Sequence, residues 1–238
     1  MIPLRDANPT RRRPVVTIAI IALCFLVFGL ELAVGASGGD AALERFLRTF
    51  GVVPTRFLGA LTHGRLIDPA VLPLISHQFL HGGWLHIGGN MLYLWIFGNN
   101  VEDRLGRLWF LLFFLVGGIV AALTQVVSDP TSTLPLVGAS GAIAAILGAY
   151  IVLFPGSRVL SIVFLGFFFQ LIEVPALLVL GLWFVLQLVD GLASVGIHET
   201  VGGVAVFAHI GGFLIGLAVG LIVRRVGPRT AAPPVRVR

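Results

Sequence analysis

The chain has 238 residues, 57% hydrophobic and 11% charged, with 16 basic residues against 11 acidic ones and a mean hydropathy of +1.00. A soluble domain carries about 25% charged residues, so the composition excludes an ordinary soluble enzyme and describes one polytopic membrane domain. The basic residues are all arginine and the net charge of +5 comes mostly from the two ends; such clusters read as topology signals and inner-leaflet anchors, not as nucleic-acid sites.

Residues 1–14 are polar, with Arg11, Arg12 and Arg13 together. Residues 15–34 are apolar and long enough to span a bilayer. Small residues at 33–37 would suit signal-peptide cleavage, but the apolar run is long for that, which favours a retained first span. Cys24 lies inside this run and has no second cysteine to pair with, which excludes a disulfide framework and a thiolate metal site. Residues 35–83 form a long mixed loop, too long for an idle connection, expected to fold on or partly into the membrane surface.

The second span is expected at 84–101, followed by a turn with Glu102, Asp103, Arg104 and Arg107, and the third at 109–127. A polar loop containing Pro130 and Pro135 leads to Gly138-Ala139-Ser140-Gly141 and a short fourth span at 140–154. Residues 159–172 are apolar but too short to cross, which predicts an interfacial or re-entrant piece. Glu173 and Pro175 form a helix-start signal, so the fifth span is expected at 175–189. A Gly-rich loop at 190–203 holds His198 and Glu199, residues 204–223 form the sixth span, and a Pro/Arg tail at 224–238 is expected to be disordered. The fold class is therefore an all-α, six-helix membrane bundle, with the membrane domain at 15–223.

Six spans put both ends on one side. The terminal segments and the turns after spans two and four hold 12 of the 16 arginines, which places both termini in the cytoplasm. Counting 1.5 Å per residue from the cytoplasmic helix ends puts Ser140 about 21 Å up, His209 about 22 Å, and Asn90 and His86 about 18 and 24 Å. All four fall at one level, below the outer edge of a core about 30 Å thick. Polar groups at membrane depth mark a functional site by default, although Ser, Asn and His also serve as interhelical glue. Gly212, Gly216 and Gly220 recur every four residues on the helix of His209, and span four offers Gly141, Ala145 and Ala149 on one stripe. Small-to-small packing of these two spans would bring Ser140 and His209 together.

A serine beside a histidine base is the nucleophile–base pair of acyl transfer. No acidic residue lies near His209 in sequence, so the pair reads as a dyad. His86 and Asn90, spaced i and i+4, share a helical face and suit oxyanion stabilisation, with the Ser140 backbone N–H as a third donor. His77, His81 and His86 raise a metal site as a rival, but His-Glu-x-x-His is absent, and His81 reads as a structural hydrogen-bonder. No metal or other cofactor is expected. A transporter would need carboxylates within the membrane; Glu31 and Glu173 read instead as boundary residues.

Four stretches carry a resemblance: Phe79-Leu80-His81-Gly82-Gly83-Trp84-Leu85-His86-Ile87-Gly88-Gly89-Asn90, then Phe97-Gly98-Asn99-Asn100-Val101-Glu102-Asp103, then Gly138-Ala139-Ser140-Gly141, then Ala208-His209-Ile210-Gly211-Gly212 with Gly216. Together, over residues 72–223, they resemble the rhomboid intramembrane serine proteases. The resemblance implies Ser140 as nucleophile, His209 as base, His86 and Asn90 as oxyanion stabilisers, and Gly138, Gly141, His81, Gly212 and Gly216 as supporting residues. It implies single-pass transmembrane substrates, no nucleic-acid partner, a bacterial cytoplasmic-membrane location, a mobile cap at 190–203 and span five as a lateral gate. A non-catalytic relative that binds transmembrane helices would share the fold without needing both Ser140 and His209. Two positions depart from the family pattern. Leu72-Pro73 stands where many relatives have Trp-Arg, so the first loop must be anchored otherwise. Ala144 stands where many have an aromatic, so something else must orient His209.

Overall fold

The computed structural model describes residues 2–64, 71–165, 168–194 and 205–226. It is mostly helical. Helix α1 (Val15–Phe50), helix α6 (Arg107–Ser128) and helix α9 (Val206–Val226) are long and apolar enough to cross a membrane. Helix α7 (Ser140–Leu153) and helix α8 (Ala176–Ser194) are also apolar. Helix α4 (Trp84–Tyr93), one wide turn (Leu94–Gly98) and helix α5 (Asn99–Leu105) run on as a composite rod, which fills the place expected for span two.

Three expectations need correction. The first concerns the start of the long loop. Helix α1 does not stop at 34 but runs to Phe50 through a bend at Gly39, whose φ of +68° breaks the helical path. The loop after it contains helix α2 (Pro54–Thr62) and helix α3 (Pro73–Ser76), which continues into a short 3₁₀ turn (His77–Phe79). The second concerns residues 159–172 and with them the all-α class. Strands β2 (Arg158–Leu165) and β3 (Phe168–Pro175) pair antiparallel, and the N-terminal segment adds strand β1 (Ile2–Asp6) on the far side of β2. The apolar run is thus two strand-length halves rich in β-branched and aromatic residues, with Arg158 and Glu173 paired across the base at 3.4 Å. Pro3, which has no N–H to donate, sits on an edge strand where its loss is tolerated. Glu173 and Pro175 end a strand, and the next helix begins at Ala176. The third concerns the tail: α9 stays helical through Arg224 and Arg225 to Val226. Most of the expected cap and the tail from 227 lie outside the described residues.

The first turn of α1 has no cap from its own side chains. Its free N–H groups are satisfied instead by Glu102 of α5, which accepts from Val16 N at 3.0 Å, Thr17 N at 2.8 Å and Thr17 Oγ1 at 2.7 Å. A carboxylate at a helix N-terminus is favoured by both hydrogen bonding and the helix dipole. Asp103 accepts from Arg11 N and Arg12 N at 3.0 and 3.1 Å. Beside them, Tyr150 near the end of α7 donates its hydroxyl to Asp6 at 2.7 Å, and Asn100 donates to the same oxygen. Asn8 donates to Tyr150 and Ser157, both at 2.7 Å. The N-terminal segment, the end of the composite rod and the end of α7 therefore meet at one end of the molecule.

The tightest contact in the core is α7 on α9. A Cβ on Gly212 would lie 2.2 Å from the Gly141 carbonyl oxygen, one on Gly216 2.0 Å from that of Ala145, and one on Gly220 3.0 Å from the Ala149 Cα. The partners advance by four residues on both helices, so the two run parallel with backbones in contact. Gly216→Ala should therefore force the helices apart and cost about 1–3 kcal/mol, the range for overpacking. Gly88→Ala, which meets nothing within 4 Å, should leave the thermal midpoint unchanged in the same detergent.

A second prediction follows from Asp6. Burial raises its carboxyl above the usual 3.8, against the opposing pull of its hydrogen bonds to Tyr150 and Asn8. The folded chain then holds a proton that the unfolded chain has lost, so stability falls as pH rises from 3.8 through the raised value and is level above it. Thermal unfolding compared between wild type and Asp6→Asn across about pH 3.5 to 7 should show a steeper fall in wild type, the difference between the two curves being the Asp6 contribution.

Candidate active site

Ser140 opens α7, following Gly138 and Ala139. Gly138 has φ +124°, a conformation that disfavours a side chain, and a Cβ there would lie 2.7 Å from His86 Nε2 and 3.7 Å from Asn90 Nδ2. Two independent reasons thus require glycine two residues before the serine. The Gly138 N–H donates to the His77 carbonyl at 2.9 Å. Ser140 remains partly exposed while Ala139 and Gly141 are buried.

His209 enters from α9. Its Nε2 lies 2.7 Å from Ser140 Oγ. This contact follows from the helix packing, because Gly212 sits on Gly141 one turn further along and fixes the relative height of the two side chains. A neutral histidine with its proton on Nδ1 can accept the serine hydroxyl proton at Nε2.

His86 and Asn90 lie on one face of α4, against Gly138. Gly82 N–H donates to His86 Nδ1 at 3.3 Å. In the neutral ring that leaves the proton on Nε2, the nitrogen beside Gly138. Asn90 is 8% exposed, and among the described residues its Nδ2 has no hydrogen-bond partner. Buried donors are nearly always paired, so an open amide donor beside the serine turn has capacity for a ligand oxygen. All four expected polar groups therefore converge on the start of α7.

His81 is buried with its ring edge-on to His86, 5.2 Å between centroids. Its Nδ1 donates to the Phe79 carbonyl at 3.3 Å, and its Nε2 has no partner among the described residues. His77 Nδ1 is occupied by the Pro73 carbonyl at 2.8 Å. Among the described residues no three His, Cys, Asp or Glu side chains gather as a metal donor set.

The first loop is anchored by groups that sequence reading passed over. Glu31 is no boundary residue: it is 2% exposed, and both its oxygens accept from His81 N–H, at 3.1 and 3.3 Å. A signal for this was available, since the buried face of α1 reads Thr17, Ile20, Cys24, Phe28, Glu31 at helical spacing. Gln78 packs its amide on Gly118 and donates to the Leu74 and Leu115 carbonyls at 3.1 and 3.2 Å. Val52 and Leu136 exchange backbone hydrogen bonds of 3.1 and 2.8 Å, so the loop is stapled to the segment that delivers Gly138. These contacts take the place of the missing Trp-Arg pair. The ring beside His209 is Trp183 of α8, at 5.7 Å between centroids.

Comparison with known proteins identifies the family. The Rhomboid domain family model matches residues 68–226, well over half of the chain. The chain is 32% identical over 171 residues to RHOMBOID-like protein 5 of Arabidopsis thaliana, covering 71% of this chain and 50% of that protein. It is 30% identical over 209 residues to Rhomboid protease GluP of Bacillus subtilis, covering 88% of this chain and 36% of that protein. It is 29% identical over 153 residues to the mitochondrial Rhomboid protein 1 of Saccharomyces cerevisiae, covering 63% and 41%. The chain thus spans half or less of the length of these relatives. With its apolar helices and the matched domain, the chain belongs to the rhomboid family of integral membrane proteins, which includes serine intramembrane proteases.

Proposed function

We propose that the protein is an intramembrane serine endopeptidase that cleaves single-pass transmembrane proteins through a Ser140–His209 dyad. The observation that carries this reading is the 2.7 Å approach of Ser140 Oγ to His209 Nε2 beside the open amide donor of Asn90. His209 takes the hydroxyl proton as Oγ attacks the substrate carbonyl carbon. The carbonyl oxygen gains charge and is stabilised by His86 Nε2–H, Asn90 Nδ2–H and the Ser140 backbone N–H. As the C–N bond breaks, His209 returns the proton to the leaving amine. Water then attacks the acyl-enzyme, with His209 again as base.

In this reading α1, the composite rod α4–α5, α6, α7, α8 and α9 are six spans, and the sheet and both termini lie on the cytoplasmic side of a bacterial membrane. A water-accessible path to Ser140 opens on the opposite side, consistent with the partial exposure of Ser140 between buried neighbours. A non-catalytic family member that only binds helices would have no use for a hydroxyl held on an imidazole nitrogen, or for a vacant buried donor next to it.

Purified protein in detergent or liposomes should cleave a model transmembrane substrate and be labelled by a fluorophosphonate probe, while Ser140→Ala does neither. Cleavage that persists in Ser140→Ala removes the dyad mechanism, and activity lost to a chelator and restored by zinc favours a metal instead. Asn90→Ala should fold with little change in thermal midpoint yet lose about 10²-fold in kcat, the usual effect of removing one oxyanion donor. A rate within twofold of wild type would take Asn90 out of the site.

A further inference from the structure

The Ser140–His209 contact sets where Nε2 must lie, and the plane of the imidazole about that point is a separate requirement. A base works only when its plane is held within about 10–20° of the productive geometry. On α7 the position one turn after Ser140 is Ala144, which is fully buried with its Cβ 3.3 Å from where a Cβ on Gly212 would stand. The wall comes from α8. Trp183 faces His209 at 5.7 Å between centroids with the planes inclined by 41°, inside the 4.5–7 Å window of favourable ring pairs.

Trp183 is itself seated. It also contacts Phe213, at 6.3 Å and 43°, and its neighbour Phe184 stacks on Phe213 at 4.2 Å and 17°. His209 and Phe213 are one helical turn apart on α9, so two adjacent α8 rings clasp an i, i+4 pair. Leu177, Leu178, Leu182, Val185 and Val189 of α8 are exposed, whereas Ala176, Val179 and Leu180 are buried. The aromatic clasp is a contact of α8 with the helix that carries the base.

We propose that Trp183 is a positioning residue that walls the His209 imidazole and holds its Nε2 on the serine hydroxyl, so that the orientation of the base depends on the seat of α8. The proposal rests on the Ser140–His209 reading. It differs from it in predicting a graded dependence on the ring at position 183 where Ser140→Ala gives an absolute one.

The test compares Trp183→Leu, which keeps apolar bulk without a ring, with Trp183→Phe, which keeps a ring. The measurements are kcat and KM on a transmembrane substrate, the rate of fluorophosphonate labelling, and the thermal midpoint. Trp183→Leu should lower kcat and the labelling rate together by about tenfold or more, with KM within about threefold of wild type, because only the approach geometry is lost. Trp183→Phe should recover most of both rates. Equal activity of the two variants and wild type overturns the proposal, as does a raised KM with unchanged kcat, which would make Trp183 a substrate contact. A loss in both variants that tracks a fall in thermal midpoint also overturns it. An inactive, unlabelled wild type overturns the dyad reading instead.

Discussion

Everything in the candidate site depends on two backbones touching. Helices α7 and α9 can approach this closely only because their shared face carries Gly141, Ala145, Ala149, Gly212, Gly216 and Gly220. In lipid there is no hydrophobic drive for helices to associate, so van der Waals contact between small residues must hold them. The same register decides chemistry. With Gly212 on the Gly141 carbonyl, Ser140 and His209 have no room to miss each other, and their polar contact is a consequence of packing, not its cause. The short length of α7 follows too, since a serine that must begin a helix at the height of His209 leaves a helix of only 14 residues beneath it.

Several acidic residues among those described hold structure together. Glu31 holds the His81 backbone, Glu102 caps α1, Asp103 holds Arg11 and Arg12, and Asp6 closes a cluster with Tyr150 and Asn100. Glu31, Glu102 and Asp6 bind donors that burial would otherwise leave unpaired, a penalty of about 1–3 kcal/mol per group. The arrangement locks the N-terminal segment to the ends of α5 and α7 and ties the first loop to α1. The site itself contains hydroxyl, imidazole and amide groups. Each has a proton to donate or a lone pair to accept without carrying a standing charge into an apolar bundle, which would cost far more.

Most of the helical layout was legible in the sequence, and the reasons are physical. Span positions follow from apolar length, and depth follows from a fixed rise per residue, so Ser140, His209, His86 and Asn90 could be put at one level before any contact was known. The small-residue stripes were legible for the same reason, as a four-residue period. Two kinds of feature were not. The run 159–172 looked like an interfacial or re-entrant piece of an all-α fold because hydropathy ignores backbone preference; Gly166 between two β-rich halves in the sequence, with Arg158 and Glu173 at the ends, was the available sign of a hairpin. Its partner, Ile2–Asp6, lies more than 150 residues away, and no local pattern announces so distant a pairing. Trp183 was invisible as a neighbour of His209 for a related reason: one aromatic in an apolar helix gives no azimuth until the helix is seated.

In the proposed mechanism the oxyanion side depends on a held loop as much as on the dyad. His86 and Asn90 ride on α4, which belongs to a different part of the molecule from α7 and α9. Their distance from Ser140 is set by whatever links α4 to the serine turn. That link is short: the His77 carbonyl receives the Gly138 N–H, the Val52–Leu136 pair staples the loop to the segment before Gly138, and Glu31 holds His81 between them. Donors aimed at developing charge help only when they need no reorganisation at the moment of reaction. The stretch between α1 and α4, residues 51–83, would be a poor mount for such donors if it were free, because ordering it would draw on the same interaction energy. Here contacts at His77, Gln78 and His81, five to thirteen residues before His86 and Asn90 in sequence, hold it, and none of these contacts needs a substrate. The donors are therefore in place before any carbonyl arrives.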